Sequence, residues 1–219
     1  MKLIMPYFKN NDTNLLFIHI PKAGGTSIEK YLSNKYSVKL DKSALYGFLP
    51  DDFKTQHDIT KIHSLQHYTY NELYDMREIL NVDFTNDLQM FVVVRNPYHR
   101  LLSDLFFLGL LKPDTDKTEV PRIIRRYIVR NKDNHAIPQF RYIVDKEGYL
   151  LPNIKILKTE TLNSDMVKMG FNDFNTHECK NKSGISDRYD EFLTPDVIKL
   201  VHFFYEEDFK YFDYDKIKL

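Results

Sequence analysis

Cys179 is the only cysteine, so no disulfide can form within the chain, and a reducing compartment fits that composition. Neither sign of charge is in excess: 31 Lys plus Arg balance 31 Asp plus Glu over 219 residues. A balanced chain has no global basic field to draw nucleic acid or an acidic membrane surface, so anion binding must come from local placement of charge. Long apolar runs are also missing. The first fourteen residues carry Lys2, Lys9 and Asp12 beside a short apolar patch, which matches neither a signal peptide nor a membrane anchor. There is no internal repeat, low-complexity stretch or Pro/Gly/Ser-rich linker, so the expectation is one domain over residues 1–219. A hydrophobic fraction of 42% fills a sizeable core at this length and argues against disorder.

What is present is an alternation of two periodicities. Leu15 to Ile20, Met90 to Val94 and Ile154 to Leu157 read as buried strands, with a weaker one over Ile62 to His67. Helical patterns cover Thr26 to Lys35, Glu72 to Leu80, Pro97 to Leu110, Val120 to Asn131 and Pro195 to Phe204. Strands alternating with helices predict a mainly parallel sheet covered on both faces, with ligand at the carboxyl ends of the strands.

The first strand runs through Pro21, Lys22 and Ala23 into Gly24, Gly25, Thr26 and Ser27. Two residues without a Cβ let the backbone approach a ligand closely. The N–H groups of Gly24, Gly25, Thr26 and Ser27 then form the unpaired donors of a helix N-terminus, an anion site, with the Lys22 charge beside them. The order is not that of a nucleoside-triphosphatase loop, in which lysine follows the last glycine; no G-x-x-x-x-G-K-[ST] occurs anywhere. The strand over Met90 to Val94 ends in Arg95, where a magnesium-binding NTPase places an aspartate.

Arg95 opens a second constellation. Asn96 is a good N-cap and Pro97 a good first helical residue. Ser103 falls about two turns along that helix. A guanidinium at the strand end and a hydroxyl on the helix can hold one phosphate together. Two separate anion sites imply a ligand with two separated phosphates.

Together the two segments resemble the cofactor signatures of sulfotransferases that use 3′-phosphoadenosine 5′-phosphosulfate, most closely the carbohydrate branch with the heparan sulfate 2-O and chondroitin enzymes. P-K-x-G-G-T-[ST] holds the 5′-phosphosulfate in that family and R-x-P-x-x-R-x-x-S the 3′-phosphate. By resemblance Lys22, Ala23, Gly24, Gly25, Thr26 and Ser27 take the first role, and Arg95 and Ser103 the second. The similarity continues through the His135-x-x-Pro-Gln139 element, Ile154 to Leu162, the Asn181-Lys182-Ser183 loop that closes over the cofactor, and the tail from Tyr189 to Tyr214. The resemblance implies an α/β, P-loop NTPase-like three-layer sandwich. It implies sulfuryl transfer to a carbohydrate hydroxyl by in-line displacement, with adenosine 3′,5′-bisphosphate as product and no metal. Golgi members begin with a membrane anchor; its lack here points to a soluble, cytoplasmic bacterial or viral enzyme.

Transfer to a hydroxyl needs a base, and histidine titrates in the right range. His67 is the residue carried over from the family, placed at the end of the weak strand ahead of a helix capped at Asn71. His63 and Glu72 remain rivals; in a strand, His63 and His67 share a face but stand about 13 Å apart. Acceptor contacts are expected from His63, Tyr68, His99, Arg100, His135 and Gln139. His19 reads as a core residue behind the loop. The basic stretch from Arg122 to Arg130 is a solvated helix face or a seat for an anionic acceptor. The aromatic tail reads as packing. Two other functions fit the motifs less well: a P-loop kinase or nucleotide hydrolase, and a catalytically silent protein that binds the bisphosphate.

Overall fold

The computed structural model describes residues 7–10, 12–38, 64–175 and 186–219. Its centre is a four-stranded sheet in the order β1 (Tyr7–Asn10), β2 (Thr13–Ile18), β3 (Gln89–Val94) and β4 (Ile154–Lys158). β1 runs antiparallel to β2, whereas β2, β3 and β4 are parallel. Strands buried on both faces have no polar side to alternate with, which is why Leu15–Ile18 and Phe91–Val94 read as unbroken apolar runs. Phe17 and Phe91 stack across the β2–β3 pair with centroids 4.9 Å apart. Each fully buried side chain of this size contributes roughly 1.5–3 kcal/mol.

Register fixes the site. Ile18 pairs with Val92, and Val94 with Lys158, so the chain leaves β2, β3 and β4 at one edge of the sheet. Each exit leads directly to a helix: α1 (Gly25–Lys35) after β2, α4 (Pro97–Phe107) after β3, and α6 (Leu162–Lys168) after β4, following a 3₁₀ turn at Thr159–Thr161. Between β2 and β3 lie α2 (Tyr70–Asp75) and α3 (Arg77–Leu80); between β3 and β4 lies α5 (Val120–Arg130). The chain closes with α7 (Pro195–Phe204) and α8 (Glu206–Phe212).

Burial divides into two clusters. One surrounds the sheet; the other joins α4, α5, α7 and α8 through Tyr98, Leu102, Leu105, Ile124, Val201 and Phe209. No helix among the described residues is long and apolar enough to cross a membrane.

Several sequence expectations need correction. Tyr7–Asn10 adds an antiparallel edge strand that its short mixed pattern did not signal. The strand expected over 62–67 is, in its described part, a 3₁₀ turn at Leu65–His67; residues 62 and 63 lie outside the described residues. The helix over Glu72 to Leu80 is broken at Met76 into α2 and α3. Its N-cap is Thr69, not Asn71. Thr69 and Glu72 form a reciprocal capping box.

Candidate active site

Lys22 leaves β2 in the left-handed region, at φ +64°, and Gly24 follows at φ +91°. These two turns aim the start of α1 out of the sheet edge. Among the described residues the amides of Gly24, Gly25 and Thr26 have no hydrogen-bond partner, whereas Ser27 N–H donates to Gly24 O at 3.1 Å. The free donors are therefore one fewer than the four expected, because the first turn of α1 tightens. Gly25 is required by packing: a Cβ there would lie 2.2 Å from the His19 imidazole.

The two cationic motifs meet. Arg95 Nη1 donates to the Lys22 carbonyl at 3.2 Å. Lys22 Nζ sits 3.7 Å above the Phe107 ring of α4. Burial pushes its ammonium below the ordinary lysine range, Asp104 opposing and Arg95 reinforcing the shift. Burial likewise lowers Arg95, against the nearby Tyr189 and Glu160. Thr159 Oγ1 stands 2.7 Å from Ala23 O and 3.0 Å from Val94 O, tying the exits of all three parallel strands together. Asn96 caps α4 as its position predicts, accepting from Tyr98 N–H at 3.0 Å. Ser103 lies half-buried on that helix.

Beside the loop stands a row of three imidazoles. His19 and His67 meet edge to face at 5.4 Å between centroids, and His67 and His135 at 4.7 Å. Each ring has a carboxylate partner at Nδ1: Glu29 for His19 at 2.6 Å, Asp133 for His67 at 2.8 Å, and Asp104 for His135 at 2.9 Å. A carboxylate can only accept, so Nδ1 is the donor in each pair and carries a proton. His67 is only 6% exposed. Burial pushes its imidazole down to about 4, with Asp133 pulling the other way. Burial alone would raise the Asp133 carboxyl, but hydrogen bonds from His67 and from Ser64 hold it well below the usual carboxylate range.

The backbone that delivers Asp133 is unusual. Asn131, Asp133 and Asn134 all have positive φ, which costs of order 1 kcal/mol per residue outside glycine. Side-chain bonds hold it: Asn134 Nδ2 donates to His67 O at 3.2 Å, and Tyr142 Oη–H to Asn134 O at 2.7 Å.

Other predicted contacts change character. Arg100 is 3% exposed and donates to the carbonyls of Pro21, Ile137 and His135 at 3.1, 3.0 and 2.8 Å. With its hydrogen bonding used inside the protein, it clamps the Lys22 loop to the His135 loop instead of meeting an acceptor. Gln139 is fully buried; its amide accepts from Arg95 N–H at 2.9 Å and donates to Arg95 O at 2.8 Å. It positions Arg95 rather than a sugar. Tyr68 is buried, and His135 is held among His67, Asp104 and the Arg100 clamp. His99 is half-exposed and faces Asp190, 3.6 Å away. Glu72, a rival base, spends its carboxylate on Thr69 and Asn134. His63, Lys182 and Ser183 lie outside the described residues.

Sequence reading missed Asp133, Asp104, Ser64, Glu29 and Thr159. Only Asp133 carried a local signal, the polar Asn131-Lys-Asp-Asn134 run that ends a basic helix and tolerates positive φ.

A family model described as the sulfotransferase family matches residues 5–145. That span includes the Lys22 loop, His67, Arg95, Asp133 and His135, and is more than half of the chain. No curated protein and no solved structure matches.

Proposed function

The chain belongs to the sulfotransferase family, and from that premise we propose that it transfers a sulfuryl group from 3′-phosphoadenosine 5′-phosphosulfate to a hydroxyl of a carbohydrate acceptor, with His67 as general base. One observation carries the reading: the hydrogen bond from Arg95 Nη1 to Lys22 O brings two cationic strand ends and an uncapped helix start to one edge of the sheet. Such a constellation suits a ligand with two separated phosphates.

The site fits the donor by its chemistry. Three unpartnered amides and Lys22 suit the 5′-phosphate, with Ala23 and Ser27 in the same turn. Arg95 and Ser103 suit the 3′-phosphate, with Lys182 and Ser183 added by resemblance. When bound, the donor supplies a sulfuryl group on a phosphate leaving group. Lys22 and the α1 amides balance the charge that develops on that leaving group. His67 Nε2 takes the acceptor proton, while Asp133 at Nδ1 fixes the tautomer and steadies the imidazolium. A P-loop NTPase-like three-layer arrangement and a single domain over residues 1–219 belong to the same proposal.

Calorimetry tests the binding half: adenosine 3′,5′-bisphosphate binds without metal, and ATP with magnesium does not compete. Preference for ATP and magnesium would sink the proposal in favour of a kinase or nucleotide hydrolase. A screen with radiolabelled donor over sugars, polysaccharides, glycolipids and tyrosyl peptides tests the acceptor half, with label expected on a carbohydrate. Binding of the bisphosphate with no label on any acceptor would leave a silent binding protein.

A further inference from the structure

We propose that His67, Asp133 and His135 form a binding site for one transition-metal dication of the Zn²⁺ class. One donor atom from each of the three residues lies within 4.8 Å of the others. His67 Nδ1 stands 2.8 Å and His135 Nε2 3.9 Å from the same Asp133 Oδ2. Tetrahedral Zn²⁺ with bonds of about 2.0–2.2 Å places its ligand atoms roughly 3.3–3.5 Å apart. The two spacings to Asp133 straddle that value and the third is within 4.8 Å, so the donors need to draw together by no more than about 1.5 Å to close the site. Two imidazoles and one carboxylate suit Zn²⁺, Co²⁺ or Ni²⁺ and exclude Mg²⁺ and Ca²⁺, which take oxygen ligands.

The surroundings orient these donors as ligands. Asp104 accepts from His135 Nδ1–H at 2.9 Å and is itself anchored by Tyr127 Oη–H. The carboxylate fixes the His135 ring with Nε2 3.9 Å from Asp133 Oδ2, the carboxylate–histidine–metal pattern. Ser64 donates to Asp133 through both its amide and its hydroxyl, which fixes the rotation of the carboxylate. Three protein ligands leave a fourth position for water.

On binding, the ion replaces the proton that His67 Nδ1 now shares with Asp133, and that proton leaves to solvent. The placement of the three donors does not depend on the reaction. Its consequence rests on the proposed function: an ion on Nδ1 draws electron density from the ring and weakens Nε2 as a base, so Zn²⁺ slows sulfuryl transfer and a chelator restores it.

The test is calorimetry of the chelator-stripped full chain with ZnCl₂ and, separately, MgCl₂. One Zn²⁺ per chain is expected, with no binding of Mg²⁺. Affinity should fall at least tenfold in His135→Ala and in Asp133→Asn, and about tenfold or more in Asp104→Asn through lost orientation. His202→Ala, outside the cluster, should leave it unchanged. Thermal melts establish that each variant is folded. Should the variants not fold, Co²⁺ added to the unaltered chain decides: an intense tetrahedral visible band supports the site, and a weak six-coordinate spectrum overturns it. Absence of Zn²⁺ binding, or binding that survives both ligand substitutions, also overturns it. Failure of sulfuryl transfer in metal-free protein counts against the proposed function and leaves the ion's binding untouched.

Discussion

The Lys22–Ser27 loop and the histidine row lie side by side, yet they are built in opposite ways. The loop is contiguous, and its working groups are mostly backbone amides, so neighbours in the chain make it: a strand end, two positive-φ residues and a helix start. The row draws on residue 19, on 29, on 64 and 67, on 104 and on 133 to 135, with no two of its rings from the same element. A site made of amides tolerates changes elsewhere as long as its turn survives. A site made of side chains from five segments depends on whatever holds those segments together. Arg100 is that link, with one hydrogen bond to the loop at Pro21 O and two to the far segment at His135 O and Ile137 O.

The largest effect separates the two regions. His67→Ala is expected to slow transfer by about 10²- to 10⁴-fold and to leave the calorimetric affinity for adenosine 3′,5′-bisphosphate unchanged; a parallel loss of affinity would mean that the row also builds the anion site. Arg100→Ala attacks the link and should impair both regions. It leaves three carbonyls short of their donor, for a loss of about 3 kcal/mol or more in denaturant unfolding. If stability fell while one region kept full function, the clamp would not couple them.

Lys22→Ala and Arg95→Ala each remove a charged donor from the loop side. Each should weaken bisphosphate binding by about 1.5–3 kcal/mol, or roughly ten- to hundredfold. Gly25→Ala probes the seam itself, since its Cβ would press on His19 at 2.2 Å. A cost of about 1–3 kcal/mol in thermal stability is expected, with a smaller cost of about 1 kcal/mol for Gly24→Ala from its positive φ.

Acid is the mildest perturbation, read in chelator-treated protein. Because burial holds native His67 near 4 against an ordinary 6.5, the unfolded chain binds a proton between those values that the folded chain refuses. Stability therefore falls as pH drops from 6.5 toward 4, by at most about 1.4 kcal/mol per pH unit for that one proton. Asp133, depressed in the fold, adds a loss of the same sign at lower pH. His67→Gln should flatten the upper part of this slope, and an unchanged slope would assign it to other groups.

How much was legible follows from the same contrast. The three parallel strands were readable because a run such as Met90–Val94 has no polar face, and the cap at Asn96 because its chemistry is local. Tyr7–Asn10 was not, since a four-residue edge strand exists only by pairing with β2. His67 was placed at the end of a strand, but its backbone is a 3₁₀ turn, and its carboxylate partner comes from 66 residues away in Asp133. Arg100 and Gln139 looked like substrate contacts because charge and amide groups suggest ligands. Burial instead turned both inward, onto backbone groups that would otherwise have gone unpaired.

By itself the sequence determined the alternating elements, the helix start that offers free amides, and the two cations at strand ends, because each depends on residues within a turn or a strand of one another. Tertiary structure alone decided that Lys22 and Arg95 would touch, that Glu72 would cap a helix, and that Asp133, Asp104 and Glu29 would each take one imidazole. Hydrogen bonds between distant segments form only where packing brings them within about 3 Å, and the order of residues along the chain carries no measure of that distance.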